Sequence, residues 1–404
     1  MGAEISVETR RADELDGYER ALWARFRAAA PELSSPYFDF RYVRAAAEVA
    51  PFARVAVIRR AERIEAFLPF QRRGGAIQPI AAPLTDYHGL IARPGAQIDL
   101  KAVLPQLKAR RFRFGGLVPR HAPSVDPACD ARPAMIADLS EGFDAYLDQR
   151  REAGQGGFLK DKRRRMRKLA EEVGPLSFSL SADPAALEAV IREKRDQMRR
   201  TGQHDVFATA WTRNLLRRLA RETDNDFGLR VAVLRAGERV VAAEAGLLSG
   251  RAYHLWFPVY DPEFARYSPG ALMTHETLRV LAERGVTQAD FGPGAEDYKH
   301  AFAEPRGQVL EGDVLADPLV EAMRAMVRQT VSRTPRLHER LSDLHRRLDR
   351  RLDRITACEP GLNGQISAAG RSLGHIGRRH PRLGLGLGVG LSLAGVSTGL
   401  LLLD

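Results

Sequence analysis

The chain has only two cysteines in 404 residues, Cys129 and Cys358. They stand far apart with no His or Cys neighbour at metal-ligand spacing. The sequence therefore offers neither a disulfide framework nor a zinc site, and it fits a reducing compartment. An apolar stretch is also lacking near the start: MGAEISVETRRADEL has no h-region, so no signal peptide is expected. Acidic residues are in deficit, 51 against 62 Lys and Arg, giving a net charge of +11. That balance points to phosphate-bearing or acidic partners. The basic runs Lys160–Lys168 and Arg333–Arg354 lack interleaved aromatics, and no helix-turn-helix or zinc pattern accompanies them, so DNA is not an expected partner.

What is present reads as globular protein, 44% hydrophobic and 28% charged. Apolar spacing predicts helices over Leu15–Ala29 and Tyr37–Val49, then strands at Val55–Arg59, Ile64–Gln71 and Gln78–Ala81. Four prolines between Leu117 and Pro133 predict an irregular connector. A second unit then opens near Met135. It reads as helices over Leu159–Glu172, Pro184–Thr201 and Trp211–Glu222, with a strand at Leu176–Leu180. Strands at Leu229–Ala236, Arg239–Leu248 and Arg251–Tyr260 follow, and Gln308–Leu315 supplies one more. Each half is thus helices followed by a strand meander, a duplicated α+β pattern.

Four segments are expected: 1–134, 135–316, 317–358 and 359–404. In the third, Leu337, Leu341, Leu344, Leu348, Leu352 and Ile355 recur at three or four residues with arginines between them. This is an amphipathic, coiled-coil-like helix suited to self-association. In the fourth, Leu383–Leu403 carries no charge and follows Arg378, Arg379 and Arg382. Its length is near the roughly 20 residues that cross a bilayer, and its glycines fall at helix-contact spacing. A chain tethered to the cytoplasmic face of a membrane is one reading, and a disordered tail the other.

The chemistry concentrates in YDPEFARYSPG (Tyr260–Gly270), the amphipathic stretch Ala271–Arg284 and DFGPGAEDYK (Asp290–Lys299). A strand entering a helix through Ser-Pro-Gly presents free backbone N–H groups and a positive dipole end, a seat for the pyrophosphate of an acyl carrier. Glu244 lies within the apolar strand VVAAEAGLL, where burial raises a carboxyl towards a useful basicity. His254, among Tyr253, Leu255 and Trp256, is the rival base or a structural histidine. In the first half, Asp86, Tyr87 and His88 precede Gly89 in a loop suited to substrate hydroxyls or amines, or to a simple turn.

These residues carry a resemblance. FLKDKRRRMRKLAEEVG (Phe158–Gly174), the stretch Val231–Gly270 and DFGPGAEDYKHAF (Asp290–Phe302) resemble the acetyltransferase domain of the CelD-like family, and so does APLTDYHGLIARPG (Ala82–Gly95). These are bacterial proteins linked to cellulose and exopolysaccharide production, within the GNAT superfamily and related in fold to FemABX peptidyltransferases. The resemblance implies tandem GNAT-like domains, each a mixed, mainly antiparallel sheet flanked by helices. It also implies acyl transfer from acyl-CoA, with no metal, to an amine or hydroxyl of a saccharide precursor.

On that reading the backbone N–H groups of Ser268, Gly270 and Ala271 serve the pyrophosphate, with Tyr267 and Pro269 completing the turn. Tyr298 protonates the departing thiolate. Lys299 meets a phosphate or pairs with Asp297 or Glu296, and Asp297 joins the substrate side. The basic helix Lys160–Lys168 lines an anionic substrate or is a solvated face. The sequence departs from the superfamily's Gln/Arg-x-x-Gly-x-Gly/Ala pattern, having Tyr267 at the first position and Leu272 at the last. The alternatives are a FemABX-type transferase using aminoacyl-tRNA and a non-catalytic, membrane-tethered accessory protein.

Overall fold

The computed structural model describes residues 5–120, 122–123, 125, 129–323 and 354–358. In the first half, β1 (Ile5–Arg10) precedes α1 (Gly17–Ala28) and α2 (Phe40–Val49). The strands β2 (Ala53–Arg60), β3 (Arg63–Arg73), β4 (Ala76–Pro79) and β5 (Ile91–Ala92) follow, then α3 (Leu100–Gln106) and β6 (Arg111–Leu117). The second half opens with β7 (Asp130–Asp138), α4 (Phe143–Arg150), α5 (Gly156–Glu172), β8 (Leu176–Ser181), α6 (Pro184–Thr201) and α7 (Ala210–Ala220). It continues through β9 (Phe227–Ala236), β10 (Arg239–Ser249), β11 (Ala252–Tyr260), α8 (Pro269–Glu283), β12 (Gln288–Pro293), α9 (Asp297–His300) and β13 (Glu304–Leu315).

Local chemistry sets the helix ends. At α1, Asp16 accepts from the Glu19 N–H at 2.8 Å while the Glu19 carboxylate accepts from the Asp16 N–H at 3.1 Å, a reciprocal capping box. At α6, Asp183 caps the Ala185 N–H, Pro184 takes the first helical position, and Gly202 ends the helix at φ 71°.

The expected tandem α+β architecture is present, but its two halves share one sheet. The strand order is β1-β2-β3-β4-β6-β13-β7-β12-β11-β10-β9-β8, with β5 pairing β3 at the side. The last strand of the second half, β13, sits between β6 of the first half and β7, antiparallel to both. The expected division at 134/135 falls inside β7, so a strand and not a linker occupies it. Most pairings are antiparallel; β4–β6 and β11–β12 are parallel. Helices cover both faces. One apolar core joins Trp23, Tyr42 and Phe67 of the first half to Leu215, Phe227 and Trp256 of the second, so neither half has a core of its own on that face.

Of the expected 317–358 helix, residues 318–323 are helical and residues 354–358 form a short helical segment seated on the body. Ile355 and Cys358 are buried, and Trp211 Nε1 donates to the Cys358 carbonyl at 3.1 Å. The amphipathic stretch before it and the apolar 383–403 segment lie outside the described residues. Among the described residues no helix is long and apolar enough to cross a membrane.

The loop carrying Asp86–Gly89 is laid against β6. The His88 N–H donates to the Gly116 carbonyl at 3.1 Å and the Val118 N–H to the His88 carbonyl at 2.8 Å. Contact is so close that a Cβ on Gly116 would lie 1.9 Å from the Asp86 carbonyl oxygen, whereas one on Gly115 would meet nothing within 4 Å. Gly116→Ala is therefore expected to push this loop off β6 at a cost of about 1–3 kcal/mol. Thermal melting should show a drop of several degrees, with Gly115→Ala close to the parent.

Candidate active site

The β11–β12 ladder has three residue pairs, Ala252↔Gln288, Tyr253↔Ala289 and His254↔Asp290. Beyond His254 the two strands part, and a cleft of about 890 Å³ opens in the gap. Leu255, Trp256 and Pro258 line it from β11, and Phe291, Gly292 and Pro293 from β12. Glu244 enters from β10, Asp86 from the first half, Ser268–Ala271 from the start of α8 and Tyr298 from α9. A parallel pair that separates leaves room for a ligand between strand ends, the usual consequence of strands diverging in an α/β sheet.

Glu244 is 1% exposed, and its Oε1 has no hydrogen-bond partner among the described residues. Burial pushes its carboxyl up to about 8, against the opposing pull of His254 and Lys194. Lys194 on α6 donates to the Pro258 carbonyl at 3.0 Å, and burial lowers its own basicity. A buried carboxyl that ionises near neutrality in a cleft has the properties of a general base.

His254 is fully buried and serves a different purpose. Its Nε2 lies 3.0 Å from Asp86 Oδ2, and its Nδ1 lies 3.6 Å from Asp290 Oδ2, close for an ion pair but long for a hydrogen bond. Asp290 is itself fixed: its Oδ1 accepts from the Tyr87 hydroxyl at 2.8 Å and from the Gly292 N–H at 2.7 Å. The rings of Tyr37 and Tyr87 pack edge-on against the imidazole at 5.0 and 5.9 Å. Burial alone would lower the imidazole's affinity for protons, but the carboxylates of Asp290 and Asp86 outweigh it and hold the group up at about 9. A histidine protonated at neutral pH cannot accept a proton, so this geometry argues against His254 as the base. It joins a loop of the first half to a strand of the second.

At the other end of the cleft, Ser268 has left-handed backbone angles, φ 56° and ψ 52°, uncommon for a residue with a side chain. Its Oγ accepts from Lys162 Nζ at 3.4 Å and from Arg165 Nη1 at 3.2 Å. Both cations come from the basic helix α5; Lys162 is buried over the Phe158 ring at 4.8 Å, and Asp161 lies against both. Two of the three amides expected to cradle the pyrophosphate are already committed. The Ser268 N–H donates to the Ala265 carbonyl and the Ala271 N–H to the Ser268 carbonyl, each at 3.0 Å, because the preceding 3-10 turn runs directly into α8. Of the three, the Gly270 N–H has no backbone acceptor among the described residues, and Pro269 has no N–H to offer. Lys162 and Arg165 bring positive charge up to this turn. Their spacing of three on one helix was the available sequence signal.

The remaining expected site residues divide. Tyr298 is 57% exposed at the mouth of the cleft, its phenol raised to about 12 by partial burial and then by Glu296 and Glu244, so it is a protonated donor at neutral pH. Tyr267 is buried below the turn, its hydroxyl bonded to Glu172, and does not line the cleft. Lys299 pairs with Glu296 at 2.7 Å and donates to the Pro293 carbonyl at 3.3 Å, bracing the Gly-Pro-Gly turn at the cleft wall. Asp297 is exposed and outside the cleft. His88 is sealed against Phe112 and Phe114, with burial driving it down to about 3, and so cannot contact a substrate. Asp290, Trp256 and Lys194 were not singled out from sequence; each sits in an ordinary strand or helix pattern. Among the described residues no cluster of His, Cys, Asp and Glu could hold a metal ion.

Residues 156–300, which carry α5 through α9 and most of this cleft, match the family model of the acetyltransferase (GNAT) domain. This segment is a GNAT acetyltransferase domain. The chain is accordingly an acyltransferase enzyme, and the domain implies an acyl-CoA co-substrate. No curated protein matches the chain in sequence. Among solved structures, the tandem GNAT protein from the clavulanic acid biosynthesis pathway is 12% identical at a TM-score of 0.47, over 78% of this chain and 99% of its own. FemX is 12% identical at 0.46, over 78% and 99%. The C-terminal domain of a putative lysylphosphatidylglycerol synthetase from Agrobacterium fabrum is 13% identical at 0.45, over 75% and 95%.

The two buried titrating groups of the GNAT domain set a pH dependence of stability. His254, raised from 6.5 to about 9, contributes stability fully present below 6.5 and lost as pH rises through 9. Glu244, raised from 4.5 to about 8, contributes stability fully present below 4.5 and lost as pH rises through 8. The melting temperature should fall between pH 6.5 and 9, with the histidine contributing on the order of 3 kcal/mol. Melting curves of His254→Gln should be flatter across that window, and Glu244→Gln should gain on the parent above pH 8.

Proposed function

We propose that the chain transfers an acyl group, acetyl in the simplest case, from acyl-CoA to an amine or hydroxyl of a polysaccharide precursor. One observation carries this reading: a buried carboxyl with an unpartnered oxygen, a protonated phenol and a cation-flanked helix start line a single cleft at a parting of strands. The motifs shared with CelD-like proteins support the saccharide side.

The thioester of acyl-CoA supplies an activated acyl carbon. Lys162, Arg165 and the Gly270 N–H, with the positive end of α8, would hold its pyrophosphate. Glu244 Oε1 accepts the proton of the attacking nucleophile, and the Tyr298 hydroxyl donates one to the departing sulfur. Held in one cleft, these groups replace a bimolecular proton shuttle with an oriented one.

Because the ionised form of Glu244 is the active one, kcat/KM should rise with pH and level off above about 8. Glu244→Gln should abolish that rise and lower kcat by about 10²–10⁴-fold, read as acceptor-dependent release of CoA thiol. Coenzyme A should raise the melting temperature by mass action, and Lys162→Ala with Arg165→Ala should reduce that shift. A protein whose melting ignores CoA but which binds tRNA in a salt-sensitive way would favour the aminoacyl-tRNA reading instead. Unchanged biological activity in Glu244→Gln would favour an accessory role.

A further inference from the structure

The cleft has a wall that the proposed reaction does not use. Ser268–Ala271 of α8 line it on one face of the sheet, and Lys194 and Gln197 of α6 on the other. The donor end packs on the core that holds Leu159, Leu169 and Leu272. The far end belongs to the face of α6 and α7, whose core takes in Leu187, Leu215 and Cys358. There the segment 354–358, beyond the GNAT domain match, returns to the body. Its single turn has two sides. Ile355 and Cys358, three apart, enter the core, while Arg354 and Ala357, also three apart, line the cleft. The turn is tied to both halves of the chain: Arg73 of β3 donates to the Thr356 hydroxyl, and Trp211 of α7 to the Cys358 carbonyl at 3.1 Å. Arg354 is exposed, and its guanidinium has no hydrogen bond or ion pair among the described residues. Other cations of the cleft are engaged. Arg132 donates to the Pro293 carbonyl and faces Glu311 at 3.7 Å, Lys299 is held by Glu296, and Lys194 donates to the Pro258 carbonyl. On the same face as Arg354, Gln197 offers an amide whose Oε1 is unpartnered among the described residues, and Trp256 offers a flat ring.

We propose that Arg354 anchors the acceptor of this transferase and that the acceptor is an acidic saccharide, one carrying a phosphate or a carboxylate. The inference rests on the acyl-transfer reading and narrows its saccharide to an anionic one. A guanidinium presents N–H donors in a fixed fork that fits two oxygens of either group. Its backbone is already held at Thr356 and Cys358, so binding has less freedom left to remove. A neutral sugar would leave that charge to water, whereas an acidic one pairs it. The Gln197 amide suits sugar hydroxyls, and the Trp256 ring suits the apolar face of a pyranose. The two anions of the reaction are then kept on opposite faces of the sheet, the donor pyrophosphate by Lys162 and Arg165 and the acceptor by Arg354. Their separation lets each cation pair with its own ligand instead of competing for one. The donor chemistry lies inside the GNAT match, and the choice of acceptor depends on a residue more than fifty positions past its end.

The test uses the full chain with acetyl-CoA and follows CoA thiol release with matched acceptors. The phosphate arm sets glucose 6-phosphate and glucosamine 6-phosphate against glucose and glucosamine, and the carboxylate arm sets glucuronate against glucose. In at least one arm the acidic sugar should exceed its parent in kcat/KM by about tenfold to a hundredfold, and the arm that does so names the anionic group. Arg354→Gln should remove that preference by raising the KM of the acidic sugar, with the KM of acetyl-CoA and the CoA-induced melting shift unchanged. Arg354→Lys, which keeps the charge but not the fork, should restore part of it. Arg354 is exposed, so both variants should melt near the parent. The proposal is overturned by equal use of acidic and parent sugars, by a preference indifferent to Arg354→Gln, by a loss in Arg354→Gln that falls on acetyl-CoA, or by no turnover of any acidic sugar in a protein that CoA still stabilises. Failure of CoA to stabilise the parent chain would instead overturn the acyl-transfer reading beneath it.

Discussion

The active cleft depends on where a ladder stops. Three residue pairs join β11 to β12, and the last of them is His254↔Asp290. If the pairing ran further, the gap lined by Leu255, Trp256, Phe291 and Gly292 would close, and the start of α8 would face strand backbone instead of open space. The two residues at the stop also help join the fold's two halves, alongside the β6–β13 ladder and the shared apolar core, because His254 reaches across to Asp86 and Asp290 accepts from Tyr87. The opening of the site and one of the fastenings of the halves thus meet at the same residue pair. That coupling suits an enzyme whose cleft walls come from both halves of a single sheet.

The same cleft places two ionisable groups in opposite regimes by simple electrostatics. Glu244 is buried with no partner for Oε1, so desolvation dominates and the neutral acid is favoured. His254 is buried to the same degree but has two carboxylates beside it, so the charged form is favoured. The imidazolium in turn keeps Glu244 from rising further. Were His254 neutral, Glu244 would hold its proton more tightly and less of it would be ionised near pH 7. His254 therefore tunes the Glu244 carboxyl through charge without a hydrogen bond to it.

Much of this was legible in the chain. α6 spans Pro184–Thr201 as its spacing predicts, between an Asp cap and a left-handed glycine, and β8 to β11 follow the apolar runs closely. Strong periodicity with explicit caps fixes an element locally. β6 and β7 were not legible, because RFRFGGL carries two glycines and DARPAMIAD a proline, and both are held as strands by β13 from far along the chain. The cleft positions of Glu244 and Tyr298 were legible because each interrupts or ends a clear pattern. The role of His254 was not, since the identity of its partners depends on Asp86 lying beside it across 168 residues of sequence. His88, one residue removed from Tyr87, shows the limit from the other side: the loop that looked uniformly polar turns one ring into the core.

The departure from the superfamily's glycine pattern has a structural counterpart. A loop rich in glycine can offer a row of free amides to a diphosphate, because nothing prevents the backbone from turning outward. With Tyr267 buried against Glu172 and Leu272 in the core, the turn before α8 is anchored at both ends, and its amides close on themselves. What remains for an anion is one N–H, the helix dipole and two cations on α5. Amide cradles bind through fixed partial charges that salt screens weakly. Arg165 is partly exposed, and its attraction falls within a Debye length of about 8–10 Å. A donor held this way should lose affinity with ionic strength more steeply than one held by amides. The basic face of α5, which composition alone would assign to solvent, is on this argument the part of the chain that compensates for the missing glycines.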